Sequence, residues 1–174
     1  MTGALASRVC VVTGAASGIG RAVALGYAQA GGDVHALDRD MAVRDLPAPI
    51  TPHVVDLADA DAVAACFAEI QAHGAVDVLV NNAGIIFFKP IEDVSVADWD
   101  RLMDVNLRGA FLCTRAVAAG MKARKRGAII NVSSNAGVRG GATKALIVPR
   151  NSGSKGFRVL WPSSSRPAMC PSTP

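Results

Sequence analysis

The sequence of 174 residues contains four cysteines, Cys10, Cys66, Cys113 and Cys170, and they are widely spaced. None belongs to a C-x-x-C pair, and none has a histidine partner at the spacing of a metal site. A dithiol redox centre and a zinc site are therefore not expected. The pattern favours reduced, buried thiols in a cytoplasmic protein.

Long apolar runs are also missing. No stretch approaches the roughly 20 residues needed to cross a bilayer. The N-terminus has no charged segment followed by an apolar stretch of signal-peptide length. We expect a soluble cytoplasmic protein that does not bind a membrane.

Aromatic residues make up 5% of the chain, and no basic stripe alternates with them, although the formal net charge is +4. The excess cations are concentrated in residues 122–126 and in the last quarter, at Arg150, Lys155, Arg158 and Arg166. This distribution of charge is not typical of a nucleic-acid-binding surface. A nucleic-acid partner is not expected.

Apolar residues account for 51% of the chain, which is enough for the core of one domain. Nearly all-apolar strands are predicted at residues 9–12, 33–37, 54–55, 76–80 and 128–132. Helical patterns lie between them at residues 19–30, 59–72 and 96–123, the last broken near Asn106. Buried strands alternating with helices predict an α/β fold, a doubly wound parallel sheet (Rossmann), truncated after the fifth strand.

The amino-acid composition changes abruptly after Ala145. Proline, serine and arginine then dominate, without helical or strand periodicity. We expect residues 148–174 to be largely disordered and the fifth strand to be an unpaired edge. The predicted organisation is a dinucleotide-binding domain over residues 1–146 and a tail over residues 147–174.

A glycine-rich turn separates the first predicted strand from the first helix. Glycines there permit a tight turn, close approach of the backbone to a pyrophosphate, and close packing of helix on sheet. The helix N-terminus would present unpaired N–H groups to the phosphates. Many such turns contain glycine for geometry alone, but the position in a βαβ unit favours a dinucleotide site. The predicted cofactor-binding residues here are Thr13, Gly14, Ser17, Gly18, Ile19 and Gly20.

Asp38 ends the second predicted strand. A carboxylate there can accept hydrogen bonds from both ribose hydroxyls and would repel a 2′-phosphate, so NAD is favoured over NADP. A solvated carboxylate at a strand end is the alternative interpretation. Arg39 follows directly in the sequence and could weaken the preference for NAD over NADP.

Five ordered motifs together resemble the short-chain dehydrogenase/reductase family. They are T-G-x-x-x-G-x-G at residues 13–20, Asp56-Leu57, Asn81-Asn82-Ala83-Gly84, Asp104-Val105-Asn106 and Asn131-Val132-Ser133-Ser134. The similarity runs without a gap from about Arg8 to about Ala145. It implies an NAD(H)-dependent oxidoreductase that moves hydride between NAD and a small-molecule alcohol or ketone, in a homo-oligomer.

The resemblance also implies roles for the residues at the strand ends. Asp56 would contact the adenine amino group and Leu57 the adenine ring. Asn82, Ala83 and Gly84 would brace the central strand beside the cofactor.

Two further residues are implied to be catalytic. Asn106 would hold a water molecule in a proton relay, and Ser134 would hydrogen-bond the substrate carbonyl or alcohol. Turn chemistry and strand capping are the alternative for Asn81, Asn82 and Asn131, and we prefer them for Asn81.

The sequence departs from the family at its catalytic Y-x-x-x-K pair. Counted from Ser134, the tyrosine position is Ile147 and the lysine position is Asn151. Isoleucine has no titratable proton, and asparagine has no charge to lower the pKa of a phenol from about 10. The single tyrosine, Tyr27, lies in the first predicted helix, so catalysis by this chain is expected to be impaired.

A reading frame slipped by one base would explain this loss. One T restored before an ATA codon for Ile147 gives TAT, which encodes tyrosine, and the following codons allow Ser, Ala, Ser and then lysine at position 151. We interpret the sequence after about residue 146 as frameshifted, in the gene or by a sequencing error. The alternatives to an oxidoreductase are a non-catalytic dinucleotide-binding module and a non-functional frameshifted product.

Overall fold

The computed structural model describes residues 3–87, 91–133 and 159–160. The candidate residue Ser134 and positions 147 and 151 lie outside the described residues. So does the predicted domain boundary near residue 146.

Five of the strands that the structure describes run parallel in one sheet: β1 (Val9–Thr13), β2 (Asp33–Asp38), β3 (Thr51–Val54), β4 (Val76–Asn81) and β5 (Ala128–Asn131). The order of these parallel strands is β3-β2-β1-β4-β5, so β1 pairs with β2 on one side and with β4 on the other. Strands β2 and β3 are added on one side of β1, and the chain then crosses over to add β4 and β5 on the other side. The β1/β4 boundary is therefore a topological switch point. The predicted doubly wound parallel sheet is confirmed.

Four α-helices of the described ranges connect the strands: α1 (Gly18–Gln29), α2 (Ala60–His73), α3 (Val96–Met103) and α4 (Ala110–Arg124). Side-chain caps fix two of the helix starts. Asp59 accepts hydrogen bonds from the N–H groups of Asp61 and Ala62 at α2, and Ser95 and Asp98 form a capping box at α3. A six-residue π-helix, Asp104–Gly109, joins α3 to α4, which confirms the predicted break near Asn106.

Both faces of the central strands β1, β2 and β4 are largely buried. Successive side chains of a strand point to opposite faces of the sheet. On one face Val11 packs with Phe67 of α2 and Val117 of α4. On the other face Val12 packs with Ala24 of α1. Helices that cover both faces explain why the strands are nearly all apolar.

The cysteines of the described residues are free and buried, as expected: Cys10, Cys66 and Cys113. Burial raises the pKa of the Cys10 and Cys66 thiols to about 11, and that of Cys113 to about 12. These thiols are therefore protonated and unreactive at neutral pH. Cys170 lies outside the described residues.

Two sequence-based expectations need correction. The third strand spans Thr51–Val54 instead of residues 54–55, because an exposed edge strand tolerates the polar Thr51 and a proline that donates no hydrogen bond. The edge of β5 is not wholly unpaired, because a two-residue strand β6 (Val159–Leu160) pairs antiparallel with it. That strand falls within the segment expected to be largely disordered.

Two histidines pair across the β2/β3 boundary. His35 Nδ1 lies 3.0 Å from His53 Nε2, and His35 is only 4% exposed. Asp33 approaches His35 at 3.9 Å, Glu69 approaches His53 at 4.0 Å, and His73 adds a repulsive charge when protonated. Burial, the largest effect, lowers the pKa of both His35 and His53.

The lowered pKa values predict acid sensitivity. Below the ordinary pKa of 6.5, the histidines of the unfolded chain bind protons, whereas the folded His35 and His53 stay neutral to lower pH. The free energy of unfolding is therefore highest above about pH 6.5 and falls as the pH drops below that value. Thermal melts from pH 7.5 to 5 should show a falling Tm. The variant His53→Gln should flatten the slope in this window, whereas His73→Gln, which changes an exposed residue, should leave most of it. Equal slopes in the chain and in His53→Gln would contradict the prediction.

Candidate dinucleotide site

A cleft of about 390 Å³ lies at the carboxyl ends of the strands, at the switch point. Doubly wound sheets bind their ligands in this place. The predicted cofactor-binding residues line the cleft, except Thr13 and Gly20, which are buried. The topology thus brings together residues that are far apart in the sequence.

The glycine-rich turn forms the floor of the cleft. Gly14 and Gly18 have positive φ angles of 67° and 54°, which glycine adopts without strain. Ser17 precedes α1 without a side-chain hydrogen bond to the helix, and no acidic residue lies in the first turn. The positive end of the α1 dipole is therefore open to an anion in the cleft.

Hydrogen bonds of Thr13 and Asn82 join β1 to β4 beside the cleft. Thr13 Oγ1 accepts hydrogen bonds from the N–H groups of Asn82 and Ala83, each at 3.0 Å, and donates to the Val80 carbonyl at 3.3 Å. Asn82 Nδ2 donates to the carbonyls of Thr13 and Gly14. This network fits the implied bracing role of Asn82 and gives Thr13 a similar one.

Asp38 is held from both sides at the end of β2. Its Oδ2 accepts a hydrogen bond from Ala16 N at 2.9 Å, and its Oδ1 accepts one from Asp40 N at 3.0 Å. Each oxygen keeps a further acceptor position. The carboxylate is therefore oriented before any ligand arrives. The exposed Arg39 lies beside it on the cleft wall.

Asp56 is paired with Arg101 of α3, which sequence reasoning missed. Arg101 Nη2 donates to Asp56 Oδ2 at 2.8 Å, and Ala58 N donates to Oδ1 at 3.0 Å. Burial acts to raise the pKa of the Asp56 carboxyl, but the Ala58 N–H and the Arg101 guanidinium, with Arg39 nearby, hold the pKa below its ordinary value. Asp56 is thus an anion in a fixed orientation at neutral pH.

Asn106 lies in the π-helix and contacts the chain that leaves β4. Its Oδ1 accepts a hydrogen bond from Ile85 N at 2.7 Å, and its Nδ2 donates to Ile85 O at 2.8 Å. The reciprocal pair fixes the backbone directly after Gly84. Water binding by Asn106 stays a prediction.

Asn81 joins β4 to β5 and α4. Its Nδ2 donates to Asn131 Oδ1 at 2.8 Å and to Thr114 Oγ1 at 3.2 Å, while Val132 N donates to the Asn81 carbonyl. These contacts support the strand-capping interpretation of Asn81.

Within the ranges 3–87, 91–133 and 159–160, no group of three or more histidine, cysteine, aspartate or glutamate side chains could hold a metal ion. The helices of the same ranges include none that is long and apolar enough to span a membrane. The cleft suits an anion at the α1 N-terminus and a diol at Asp38.

Comparisons with known proteins agree with this geometry. The family model of the short chain dehydrogenases matches residues 8–147. A 3-oxoacyl-(acyl-carrier-protein) reductase of Thermotoga maritima is 36% identical over 166 residues, covering 90% of this chain and 68% of that protein. A D-xylose 1-dehydrogenase of Caulobacter vibrioides is 46% identical over 132 residues, covering 71% of this chain and 52% of that protein.

Solved structures give the same result. A protein assigned as an NAD(P)-dependent gluconate 5-dehydrogenase, from Beutenbergia cavernae, carries NADP at low occupancy. It superimposes with a TM-score of 0.75 at 41% identity, covering 81% of this chain and 59% of that one. A short-chain dehydrogenase from Streptomyces avermitilis gives a TM-score of 0.75 at 33% identity, covering 79% and 53%.

The chain spans a little over half of the length of most of these proteins. The family model ends at residue 147, the position at which the resemblance places the catalytic tyrosine. The matched region contains the whole described parallel sheet and the cleft at its switch point. The chain belongs to the short-chain dehydrogenase family.

Proposed function

We propose that the cleft binds NAD(H) and that the intact form of this chain transfers hydride between NAD and a small-molecule alcohol or ketone. The oxidoreductase family is established by the comparisons. The cofactor, the substrate class and the state of this particular chain are our proposal.

The observation that carries the proposal is the carboxylate of Asp38, which faces the cleft with both oxygens oriented by backbone N–H groups. A carboxylate at the end of the second strand accepts hydrogen bonds from the ribose hydroxyls of NAD. A 2′-phosphate in the same place would meet a fixed negative charge.

The strand order gives the direction in which a dinucleotide would lie. The pyrophosphate would sit at the α1 N-terminus above β1, and the adenosine would extend over β2 and β3 past Asp38. The nicotinamide half would then lie over β4, beside Asn82, Ala83 and Gly84. In the intact form, Asn106 and Ser134 would serve the reaction at that end.

The experiment is a pair of titrations with NADH and NADPH. We expect the chain to bind NADH more tightly by about tenfold or more, because a mispaired charge costs roughly 1–3 kcal/mol and tenfold corresponds to about 1.4 kcal/mol. The variant Asp38→Ser should lose most of this preference.

A matched control is Asp40→Ser, which removes the same charge from the same wall. The Asp40 side chain accepts a hydrogen bond from Ala42 N at 2.9 Å, and therefore caps the short 3₁₀-helix Met41–Asp45. This control should keep the preference for NADH. Tighter binding of NADPH by the unaltered chain would show that Arg39 controls the pocket.

We propose that catalysis is impaired in this chain, because Ile147 and Asn151 stand where the family has tyrosine and lysine. A non-catalytic dinucleotide-binding module, or a non-functional frameshifted product, is the second candidate, and the same two residues favour it. We further propose that residues 1–146 form the folding unit and that the tail from residue 147 is out of frame.

The intact form is proposed to be a soluble, cytoplasmic homo-oligomer. Exposed apolar side chains on one stretch of helix support association, namely Trp99, Leu107 and Phe111, which are 45%, 40% and 57% exposed. These residues lie on three consecutive helical segments, and exposed apolar patches can mark interaction surfaces. Light scattering of the reading-frame-restored protein would give its oligomeric state.

A further inference from the structure

We propose that Arg101 is a positioning residue for base recognition, which holds the Asp56 carboxylate so that the cleft selects a purine with an amino group over one with a carbonyl group. The inference rests on the proposed dinucleotide function. It concerns a residue of α3 that contributes no atom to the cleft wall, and that acts through Asp56.

The strand order places a base at Asp56. Asp38 ends β2, and β3 lies beyond β2 at the edge of the sheet. A nucleotide whose ribose contacts Asp38 therefore extends its base over the end of β3. The residues that follow β3 on the cleft wall are Val55, Asp56 and Leu57, of which Val55 and Leu57 are apolar and buried. They offer a flat base an apolar wall with one charged acceptor.

The two bonds that Asp56 already makes determine its orientation. Arg101 Nη2 occupies one position on Oδ2 at 2.8 Å, and Ala58 N occupies one on Oδ1 at 3.0 Å. A carboxylate has about four acceptor positions, so both oxygens can still accept from a ligand. An amino group can donate to such an oxygen, whereas a carbonyl oxygen would be repelled by it.

Without the guanidinium, only the Ala58 N–H would orient the carboxylate. The Asp56 side chain is 40% exposed and could then rotate toward water. The Arg101 side chain is itself 35% exposed. The expected loss is therefore that of one partly hydrated, charge-assisted hydrogen bond, and not that of a buried ion pair.

The test is isothermal titration of the 174-residue chain with ADP-ribose and with inosine diphosphate ribose, which carries a carbonyl in place of the adenine amino group. Both probes lack the nicotinamide and so do not involve the catalytic end. We expect the chain to prefer ADP-ribose, and Arg101→Leu to reduce that preference roughly three- to tenfold. Arg101→Lys, which keeps the charge and loses the planar fork, should restore part of it.

Two further variants separate positioning from a general effect on folding. In an Asp56→Ala background, Arg101→Leu should change the preference no further, because Arg101 acts only through Asp56. Arg108→Leu removes a guanidinium paired with Asp104 at 3.5 Å on the protein surface, and it should leave the preference unchanged.

The outcomes distinguish this inference from the proposed function. Failure of the unaltered chain to bind either probe overturns the dinucleotide function and this inference with it. Binding of both probes with a preference that Arg101→Leu leaves unchanged overturns only the role of Arg101. A preference that falls equally in Arg101→Leu and in Arg108→Leu also overturns it, since the effect would then be one of surface charge.

Discussion

Replacing Gly20 by alanine is expected to abolish NADH binding and to destabilise the fold by about 3 kcal/mol or more, the range of severe overpacking. A Cβ at Gly20 would overlap the Gly14 carbonyl oxygen and would lie 2.5 Å from Asn82 Nδ2. The first contact is with backbone, which cannot rotate away. The helix would have to move off the turn, and the Asn82 hydrogen bonds to Thr13 and Gly14 would break.

The matched control is Gly18→Ala in the same turn. Gly18 has a φ angle of 54°, but a Cβ there would meet no atom of the described residues within 4 Å. The cost should therefore be only the roughly 1–2 kcal/mol of a left-handed residue. Urea unfolding and NADH titration of the two variants provide the comparison. If Gly20→Ala were as stable as Gly18→Ala, the close packing of α1 on the turn would be refuted.

Restoring the reading frame is expected to have the second large effect. The chain as written should show no NAD-dependent oxidation above background, because a general acid–base group typically contributes 10²- to 10⁴-fold in rate. One T added before an ATA codon at position 147 encodes tyrosine there, and the following codons allow lysine at position 151. A protein with this restored pair should turn over substrate. In that protein, replacing the new tyrosine by phenylalanine should remove the activity again.

The assay follows NADH absorbance with a panel of alcohols and sugars, including D-xylose and gluconate. The substitutions Ile147→Tyr and Asn151→Lys in the present chain test whether the two side chains suffice. We expect the two substitutions to restore less activity than correction of the reading frame does, because that correction also changes all of the following residues. Turnover by the unaltered chain at the rate of the restored protein would contradict the proposed impairment.

The sequence predicted the parallel sheet well, because strands buried on both faces must be apolar along their whole length. The positions of the glycine-rich turn and of Asp38 at the end of β2 could also be predicted, because both depend on short stretches of sequence next to a strand. The edge strand β3 was misplaced because exposure removes the apolar signal, and Pro52 weakened the strand pattern further.

The contacts that the sequence did not predict join distant positions. Arg101 and Asp56 are 45 residues apart, and His35 and His53 are 18 apart. No local pattern specifies such pairs, because they depend on how α3 and β3 are placed on the sheet. An arginine such as Arg101 can occupy any exposed position of an amphipathic helix, so its presence in the sequence does not indicate that its partner is Asp56.

The most direct test of dinucleotide binding at the switch point is an amide ¹H–¹⁵N NMR titration of the chain with NADH. Binding at the switch point should produce chemical-shift changes at Gly14 to Ile19, at Asp38, and at Asn82 to Gly84, which share the cleft at the carboxyl ends of the strands. A second cleft, of about 420 Å³, lies at the opposite ends of the strands and is lined by Arg8, Asp77 and Arg126. Shift changes confined to that second cleft, or none at all, would contradict the claim that the switch point binds the dinucleotide.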